Sequence, residues 1–538
     1  MIKNKPNVIL MLVDDLGVGD VSCFNTEGKI KTSHLDRLAE SGMRFGNSHA
    51  TSSLCTPSRY SLLTGRYNWR SRLKSVVLHG DSETLIEKNR TTLPQLFKSQ
   101  GYHTAAVGKW HLGMDWHYKK HIDYQAYGID PADYPEAEVV PDKQYGRLGN
   151  FDNDYPTHLI EGIDIDFTKK IKYGPNQYGF DYFFGTPASL DQPPFVYIEN
   201  DTVTEIPTKV TGTAPLDRMG ASQQQKWQLG VIADNYKHQE CPKVMQQKVI
   251  EIIEQQAEKE EPFFLYYPCH LVHGPIVPEE EFQGKSGLGP YGDFVLQLDH
   301  YVGEISQTLK EKNLDEHTIF IFTSDNGASG VADFPSLLAQ GHNPSGIYRG
   351  KKMDIWEGGH TEPTIISYPG HVKANSFSHQ LVSHSDIFAT FAEMFGVVYE
   401  DETAEDSVSL LPLLKGDRQE IREDIVVSCA NGGLALRTHE WKLNLVKNGG
   451  GSLGRNAEQS FGPFELFKID EDIEEKNNVI EEYPEVVDEL MIRLEKYIKE
   501  GRSTTGQKQK NARNNPTGQW EAISWIPDYP EYIKTLTD

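Results

Sequence analysis

Asn7-Val8-Ile9-Leu10-Met11-Leu12-Val13-Asp14-Asp15 runs without a break from apolar residues into two carboxylates, and this stretch decides the fold prediction. The apolar part has the length of a strand that is buried on both faces, and such strands occur in mostly parallel sheets covered by helices. Comparable runs, separated by helical patterns, predict strands at residues 103–107, 263–267 and 318–323. This alternation predicts an α/β fold with a large, mostly parallel sheet between layers of helices.

The pattern changes in the last quarter of the chain. Runs at residues 434–437 and 441–446 predict an antiparallel hairpin, and Pro484 opens an amphipathic helix. We therefore predict a catalytic α/β domain at residues 1–417. A smaller α+β domain of antiparallel strands and a helix is predicted at residues 418–538, ending in an irregular tail.

The charge and composition exclude several classes of function. The chain of 538 residues carries 53 basic and 78 acidic residues, a net charge of −25. Its Lys and Arg residues are dispersed, so we expect no nucleic-acid partner, and a site for an anion has to be basic locally. The five cysteines are too few for a disulfide scaffold, and no Cys-x-x-Cys pair indicates zinc.

Neither a membrane span nor a targeting segment is evident. No apolar run approaches the ~18 residues that a membrane span needs, so we expect no membrane partner. Residues 1–6 lead directly into the first strand. The sequence therefore predicts either a cytosolic protein or, if an export signal has been removed, a periplasmic or secreted one. It sets no oligomeric state.

Polar clusters directly follow four of the predicted strands: Asp14-Asp15, Lys109-Trp110-His111, His270 to His273, and Asp325-Asn326. Ligands of open α/β sheets bind outside the carboxyl ends of the strands, so the four clusters can form one site. Each cluster alone has a purely structural explanation: a helix cap for Asp14-Asp15, a surface location for Lys109 and His111, a core histidine for His273, and a tight turn for Asp325-Asn326-Gly327. These explanations do not account for the position of all four clusters at strand ends. Carboxylate and amide oxygens suit Ca²⁺ or Mg²⁺, while Lys, Arg and His suit a tetrahedral anion.

Cys55-Thr56-Pro57-Ser58-Arg59 is the strongest single signal. Pro57 and the apolar residues after it place Cys55 at a helix N-terminus, where the dipole favours negative charge. By itself this fits a low-pKa thiol or a small buried residue. Cys-x-Pro-x-Arg followed by Leu63-Thr64-Gly65-Arg66, however, resembles the signature of the formylglycine-dependent sulfatases of the alkaline phosphatase superfamily.

The resemblance extends over most of the chain. It includes the strand and carboxylates at 7–15, Gly108-Lys109-Trp110-His111, the segment 179–191 that brings in Ser189, His273-Gly274-Pro275, the segment 323–327, and Arg349-Gly350-Lys351-Lys352 with Glu357-Gly358-Gly359-His360. The spacing to Glu357 selects Lys352 over Lys351. Thr361 departs from the pattern, because many relatives carry Arg there, and leaves one outer substrate contact open. Residues 115–168 and 501–538 match no motif, and there we expect specificity to be built.

The resemblance implies an alkaline-phosphatase-like fold and a sulfatase whose Cys55 is oxidised to formylglycine by a formylglycine-generating or anaerobic maturation enzyme. The hydrate attacks sulfur, Asp325 helps to deprotonate it, His111 is the base in the elimination, and His273 and Lys352 both remain candidates for protonating the leaving group. The implied ligands of Ca²⁺, which we prefer to Mg²⁺, are Asp14, Asp15, Asp325, Asn326 and residue 55. The remaining implied residues are Arg59 and Lys109 for catalysis, and Ser189, Asp191, Arg349 and Lys351 for substrate binding.

Two other functions stay open at this point. Phosphonate monoester and phosphodiester hydrolases share the superfold and can use the same modified cysteine. A non-catalytic carbohydrate-binding protein with an unmodified cysteine is a more distant alternative. As substrate we expect a sulfated saccharide, of the algal galactan or carrageenan type or from another polysaccharide. Four tryptophans could stack on its rings or pack in the interior: Trp110, Trp116, Trp520 and Trp525.

Overall fold

The computed structural model describes residues 5–119, 121–130, 160–213, 224–417, 419–451, 464–513 and 520–536. Its strands, in chain order, are β1 (Asn7–Val13), β2 (Gly42–Phe45), β3 (Ser48–His49), β4 (His103–Lys109), β5 (Tyr182–Thr186), β6 (Ile198–Glu199), β7 (Thr202–Val203), β8 (Lys209–Thr211), β9 (Gly230–Ile232), β10 (Phe263–Pro268), β11 (Thr318–Ser324), β12 (Thr364–Ser367), β13 (Ser376–Ser378), β14 (Val382–Ser383), β15 (Asp424–Ser428), β16 (Leu434–Thr438), β17 (Trp441–Asn444) and β18 (Glu465–Lys468). The α-helices are α1 (Ser33–Glu40), α2 (Cys55–Thr64), α3 (Leu93–Ser99), α4 (Cys241–Ala257), α5 (Pro290–Glu311), α6 (Phe334–Ala339), α7 (Asp386–Phe395), α8 (Leu411–Leu414), α9 (Pro484–Glu500) and α10 (Tyr529–Lys534). Every helix within these ranges is too short or too polar to span a bilayer.

A ten-stranded mixed sheet forms the centre of the fold, in the order β13-β2-β12-β11-β1-β10-β4-β5-β6-β7. The central strands from β11 to β5 are parallel, and antiparallel pairs occur towards both edges. β1 lies between β10 and β11, with Val8 opposite Phe264 on one side and Ile319 on the other. The predicted mostly parallel sheet is confirmed.

The sheet is covered on both faces because β1 and its neighbours are apolar on both faces. The even-numbered residues of β1, from Val8 to Leu12, belong to a core that includes side chains of α2, α3 and α7. The odd-numbered residues, from Ile9 to Val13, belong to a second core with side chains of α1, α4 and α5. Successive side chains of a strand point to opposite faces, so an uninterrupted apolar run requires a helical layer on each side.

A separate four-stranded antiparallel sheet, β15-β16-β17-β18, follows the main sheet in the chain. One of its faces packs against Leu490 and Leu494 of α9. The other face packs against Ile355 and Trp356, which belong to the segment with the sulfatase-like motif. The predicted antiparallel strands and helix are confirmed, while the domain boundary at residues 417 and 418 stays a prediction.

The tail after residue 500 is more ordered than predicted. It contains α10, and the buried ring of Trp520 lies 5.7 Å from that of Trp69, between ring centroids. The tail is fixed because its apolar side chains complete the core between the small sheet and α9. Trp110, Trp116 and Trp520 are all buried, so these three rings pack in the interior rather than stacking on a sugar.

Candidate active site

The carboxyl ends of β1 and β11 bring two pairs of polar residues together. These strands are adjacent and parallel, so Asp14-Asp15 and Asp325-Asn326 leave the sheet side by side. The amide of Asp325 donates to the carbonyl of Val13 over 3.0 Å, and the side-chain amide of Asn326 donates to Asp15 Oδ1 over 2.8 Å. All four polar side chains are buried. The convergence predicted from strand ends is therefore present in the structure.

Cys55 is the first residue of α2 and faces this acidic cluster. Its Sγ and carboxylate oxygens of Asp14 and Asp325 all lie within 4.8 Å of one another. Burial raises the pKa of the Cys55 thiol, and the nearby Lys109 and Lys352 only partly oppose that shift. The unmodified side chain is consequently a neutral thiol, although it lies at a helix N-terminus, and it would be a weak nucleophile in that form.

Three cations neutralise the three carboxylates. The guanidinium of Arg59 lies 2.7 Å from Asp325, the ammonium of Lys109 lies 2.6 Å from Asp14, and that of Lys352 lies 2.5 Å from Asp15. Arg59 also donates to the carbonyl of Lys109 over 2.9 Å. These contacts balance buried charges of both signs at the end of the sheet and place three cations within one site.

The residues fit a hard cation. Asp14 Oδ1 and Asn326 Oδ1 are buried and accept no hydrogen bond from the described residues. Asp14 shares one group of metal-competent atoms with Cys55 and Asp325, and a second with Asp15 and His273. Buried oxygen atoms are costly to leave without a partner. Several carboxylates with one amide oxygen are the set of ligands that Ca²⁺ prefers.

The two histidines of the site differ in their contacts. The ring of His111 lies 2.8 Å from the carbonyl of Leu78 through Nε2, which therefore carries the proton and leaves Nδ1 as an acceptor. Burial, helped by Lys109 and Arg59, holds the pKa of His111 well below its usual range, so the ring is neutral. His273 Nδ1 lies 2.6 Å from the carbonyl of Gly274, and its Nε2 lies 3.7 Å from Asp15.

His270, the alternative to His273, lies elsewhere. Its Nε2 pairs with the Thr186 hydroxyl over 2.7 Å, and burial lowers its pKa to about 3. The structure thus places His273, and not His270, beside the carboxylate of Asp15.

Three side chains at the cluster are partly exposed, and we call the side of the cluster on which they lie the opening. The side chain of His273 is 12% exposed, that of Lys352 is 11% exposed and that of Asp191 is 10% exposed. Asp191 Oδ1 lies 3.8 Å from His273 Nδ1. The other predicted metal ligands and catalytic residues are at most 2% exposed. Among the residues of the cluster and its surroundings named above, these three side chains are therefore the ones that meet solvent.

Two of the residues predicted to bind substrate, Arg349 and Lys351, make their contacts outside the cluster. The guanidinium of Arg349 stacks on Trp356 at 3.8 Å and donates to the carbonyl of Glu475 over 2.6 Å. The ammonium of Lys351 lies over the ring of Phe334. Ser189 is buried, with an Oγ that makes no hydrogen bond to the described residues.

Thr361 and the two segments expected to build specificity complete the set of sequence predictions. Thr361 is buried, and its hydroxyl lies 3.3 Å from Glu357, so this position faces the interior instead of an outer substrate contact. Residues 120 and 131–159, and residues 514–519, lie outside the described residues.

A buried charged cluster was missed from the sequence. It consists of Glu357, Arg437, Lys442 and Glu475 with the neutral rings of His49 and His360, and we call it the Glu357 cluster. Lys442 lies 3.0 Å from both glutamates. The signal available in the sequence was a charged residue on the apolar strand Trp441-Lys442-Leu443, since a lysine buried there requires a partner.

Comparisons with known proteins agree with this geometry. A family model described as Sulfatase matches residues 6–397, a range that contains all the predicted site residues. The chain is 34% identical over 524 residues to the N-acetylgalactosamine-6-O-sulfatase of Bacteroides thetaiotaomicron, which covers 91% of this chain and 93% of that protein. It is 28% identical to arylsulfatase A of Bos taurus, over 90% of this chain and 85% of that protein.

Solved structures give the same picture. A protein described as 6S-sulf, from a glycosaminoglycan-metabolising locus of Bacteroides thetaiotaomicron, has a TM-score of 0.74 at 32% identity and covers 92% of this chain and 99% of its own. A protein solved with a neocarrahexaose has a TM-score of 0.66 at 21% identity and covers 99% of this chain and 100% of its own. At that identity the second likeness shows the fold alone.

Proposed function

This chain belongs to the sulfatase family and is a sulfuric ester hydrolase, and from that premise we propose that it is a carbohydrate sulfatase acting at the end of a sulfated saccharide. The first candidate substrate is 6-O-sulfated N-acetylgalactosamine, because a relative with that activity is 34% identical over 91% of the chain. The likeness to the neocarrahexaose-bound protein carries no comparable weight, so the algal galactan type becomes the second candidate.

The opening formed by His273, Lys352 and Asp191 is the observation that carries the proposal. The positive charges of Arg59 and Lys109 lie at the buried end of the site, where a sulfate group would be held. The sugar then lies towards the opening, next to the carboxylate of Asp191. Carboxylates accept hydrogen bonds from sugar hydroxyls and repel other anions. The arrangement favours a terminal sugar that carries no charge besides its sulfate, and it disfavours a sugar inside a long polyanion.

Two groups that the family implies are assigned to this site. The first group is formylglycine, which a maturation enzyme would form from Cys55. Its hydrate would supply the hydroxyl that attacks sulfur and a second hydroxyl that permits sulfate release. Held by Asp14, Asp15, Asp325, Asn326 and residue 55, Ca²⁺ would supply a fixed positive charge beside the sulfuryl oxygens.

The side chains of the chain itself handle charge and protons. Arg59, Lys109 and Lys352 offset the negative charge that gathers on the sulfuryl oxygens. Asp325, close to residue 55, accepts the proton of the attacking hydroxyl. His111 acts as a base when sulfate is released, for which its neutral ring and its acceptor Nδ1 are suited.

Protonation of the leaving sugar oxygen falls to a residue at the opening. His273 and Lys352 are both partly exposed and both next to Asp15, so both can reach an oxygen on the sugar side. The pH–rate profiles of His273→Ala and Lys352→Ala separate them, because only loss of the proton donor removes the alkaline limb of the profile.

The experiment that tests the proposal is a substrate panel at equal concentration. We expect sulfate release from N-acetylgalactosamine 6-sulfate to exceed release from its 4-sulfate, from galactose 6-sulfate and from neocarrabiose sulfates. A phosphonate monoester and a phosphodiester complete the panel. Faster turnover of either phosphorus ester, or no preference among the sugars, would overturn the proposed substrate. Because sulfated polysaccharides are met outside the cytoplasm, we also propose a periplasmic or secreted location, which cell fractionation tests.

A further inference from the structure

The Glu357 cluster lies outside the catalytic machinery just described and joins the small sheet to the main one. Glu357 precedes β12 of the large sheet, whereas Arg437 and Lys442 lie on β16 and β17 and Glu475 follows β18. The side chains of Lys442 and Glu475 are fully buried, and that of Glu357 nearly so. Arg437, Lys442 and Glu475 all lie beyond residue 397, where the match to the sulfatase family model ends.

This cluster is not a second metal site. Atoms of His49, Glu357 and His360 lie close enough together to hold an ion. The ammonium of Lys442, however, lies 3.0 Å from Glu357 and 3.1 Å from His360 and already supplies a cation to both. The guanidinium of Arg437 adds a second positive charge 3.6 Å from Glu357. Two carboxylates thus face two cations, and the cluster is balanced as it stands.

The cluster holds both ends of the segment that carries Lys352. We call residues 349–358 the lysine segment. Its first residue, Arg349, donates to the carbonyl of Glu475 over 2.6 Å, and the amide of Glu357 near its end donates to the Glu475 carboxylate over 2.6 Å. Lys442 donates to the carbonyl of Ile355 over 2.8 Å. The amide of Gly358 closes the segment on the carbonyl of Arg349 over 2.7 Å.

On the catalytic side, the segment is held by the pair of Lys352 with Asp15 and by two backbone hydrogen bonds. The amide of Lys352 donates to the carbonyl of Ala328 over 3.0 Å, and that of Met353 donates to the carbonyl of Ser53 over 2.9 Å. A Cβ added at Gly327 would lie 2.0 Å from the carbonyl oxygen of Gly358, so glycine is needed where the Asp325 loop meets this segment. The lysine segment is therefore held between the active site and the small sheet.

We propose that Glu475, together with Lys442, is a positioning residue for Lys352, so that the small C-terminal sheet is a working part of the active site. The inference rests on the role proposed above for Lys352. Its physical basis is that a lysine side chain is long and flexible, and the backbone beneath it must be fixed if its ammonium is to stay at Asp15. A misplacement of about 1 Å in such a group costs about 100-fold in rate.

The first test measures the position of Lys352 without using activity. Brief labelling of the whole protein with an amine-reactive acetylating reagent, followed by peptide mass spectrometry, reports how accessible each lysine is. In Glu475→Gln we expect labelling of Lys352 to rise about tenfold, because an ammonium that leaves its partner becomes accessible. Lys534, an exposed lysine of α10 outside the lysine segment, serves as the internal reference. Asp424→Asn removes an equally buried carboxylate of the same sheet, one that contacts Arg493 and Tyr497 instead, and should leave Lys352 protected.

The second test is a cycle of activity measurements. Glu475→Gln should lower kcat/KM by about 100-fold in the wild-type background, and by less than about threefold when Lys352 is already alanine, because a positioning residue acts only through its target. Should Glu475→Gln fail to fold, Glu475→Gln with Lys442→Met removes one charge of each sign and takes its place. Unchanged labelling of Lys352 would overturn the inference. So would a double variant in which the reductions of kcat/KM caused by the Glu475 and Lys352 substitutions multiply. Increased labelling with full activity would confirm the positioning and refute the role of Lys352 in the proposed function.

Discussion

The ammonium of Lys352 lies 2.5 Å from the carboxylate of Asp15, although 337 residues separate the two in the chain, while the adjacent Lys351 lies over the ring of Phe334. Two neighbouring lysines thus offer a matched pair. Lys352→Ala should lower kcat/KM by about 10²–10³-fold, because it removes a positive charge that we propose offsets the negative charge on the sulfuryl oxygens. Lys351→Ala should remain within about threefold of wild type. Equal effects of the two substitutions would contradict the assignment.

Cys55→Ala should abolish turnover and leave thermal unfolding unchanged within a few degrees. The reason is that an alanine methyl group has no sulfur or oxygen from which a maturation enzyme could form the aldehyde, and Cys55 is a small buried residue whose replacement opens little space. Peptide mass spectrometry of the active wild type should show the aldehyde at residue 55. Cys23→Ala, at a partly buried cysteine far from the site, is the control and should keep full activity. Turnover by Cys55→Ala within tenfold of wild type would refute the mechanism.

Removal of the metal should affect stability as well as activity. A chelator should inactivate the enzyme, and added Ca²⁺ should restore activity and raise Tm, since an ion at 100 times its Kd stabilises the native state by about 2.7 kcal/mol. The rise in Tm should vanish in Asp14→Asn and persist in Asp424→Asn. Metal analysis of active protein is the decisive measurement, and enzyme that is active while free of divalent metal would exclude the site.

Stability should fall steeply on mild acidification because several histidines are buried in the neutral form. Burial lowers the pKa of His238 to about 4, and that of His270, His360 and His384 to about 3. In the unfolded chain they titrate near pH 6.5, so the unfolded state binds protons first as the pH falls. Their contribution to the free energy of unfolding is complete above pH ~6.5 and is lost as the pH falls from there towards about 3–4. Each group contributes about 1.4 kcal/mol per pH unit in that window.

Urea unfolding at pH 8, 7, 6 and 5 measures this slope. His238→Phe keeps the stacking on Trp227 and should reduce the slope, whereas His317→Phe, at an exposed position, should not. A free energy of unfolding that stays constant from pH 7 to pH 5 would contradict the prediction.

Moderate salt should not inhibit turnover of a charged substrate. The net charge of −25 repels a polyanion at long range, but this repulsion is screened beyond ~10 Å at about 0.1 M salt, while contacts inside the site are screened less. Moderate salt should therefore leave turnover of a sulfated oligosaccharide unchanged or increase it. A steep fall in activity, or faster cleavage of long polymer than of its oligosaccharides, would indicate an extended basic surface instead.

The sequence predicted those parts of the site that depend on strand ends. Val8 to Val13 could be recognised as a buried strand, and that alone placed Asp14 and Asp15 at the edge where Asp325 arrives. Arg349 shows where such reasoning stops. Its motif suggested a contact with substrate, but Glu475, 126 residues further on, accepts a hydrogen bond from its guanidinium. Long-range partners of this kind follow from tertiary packing, which neither periodicity nor a local motif records.

The central position of β1 has a consequence for biosynthesis. β1 is made first, yet it pairs with strands that begin at Phe263 and Thr318. At about 5–20 residues per second, the ribosome needs roughly 15–60 s to deliver the last of these partners. Until β10 is made, this strand, which is apolar on both faces, has no native neighbour, and until β11 follows one of its edges stays unpaired, so it can pair with other nascent chains. Synthesis of this protein should thus depend on chaperones that shield its first strand, and fragments that end before Ser324 should aggregate rather than fold.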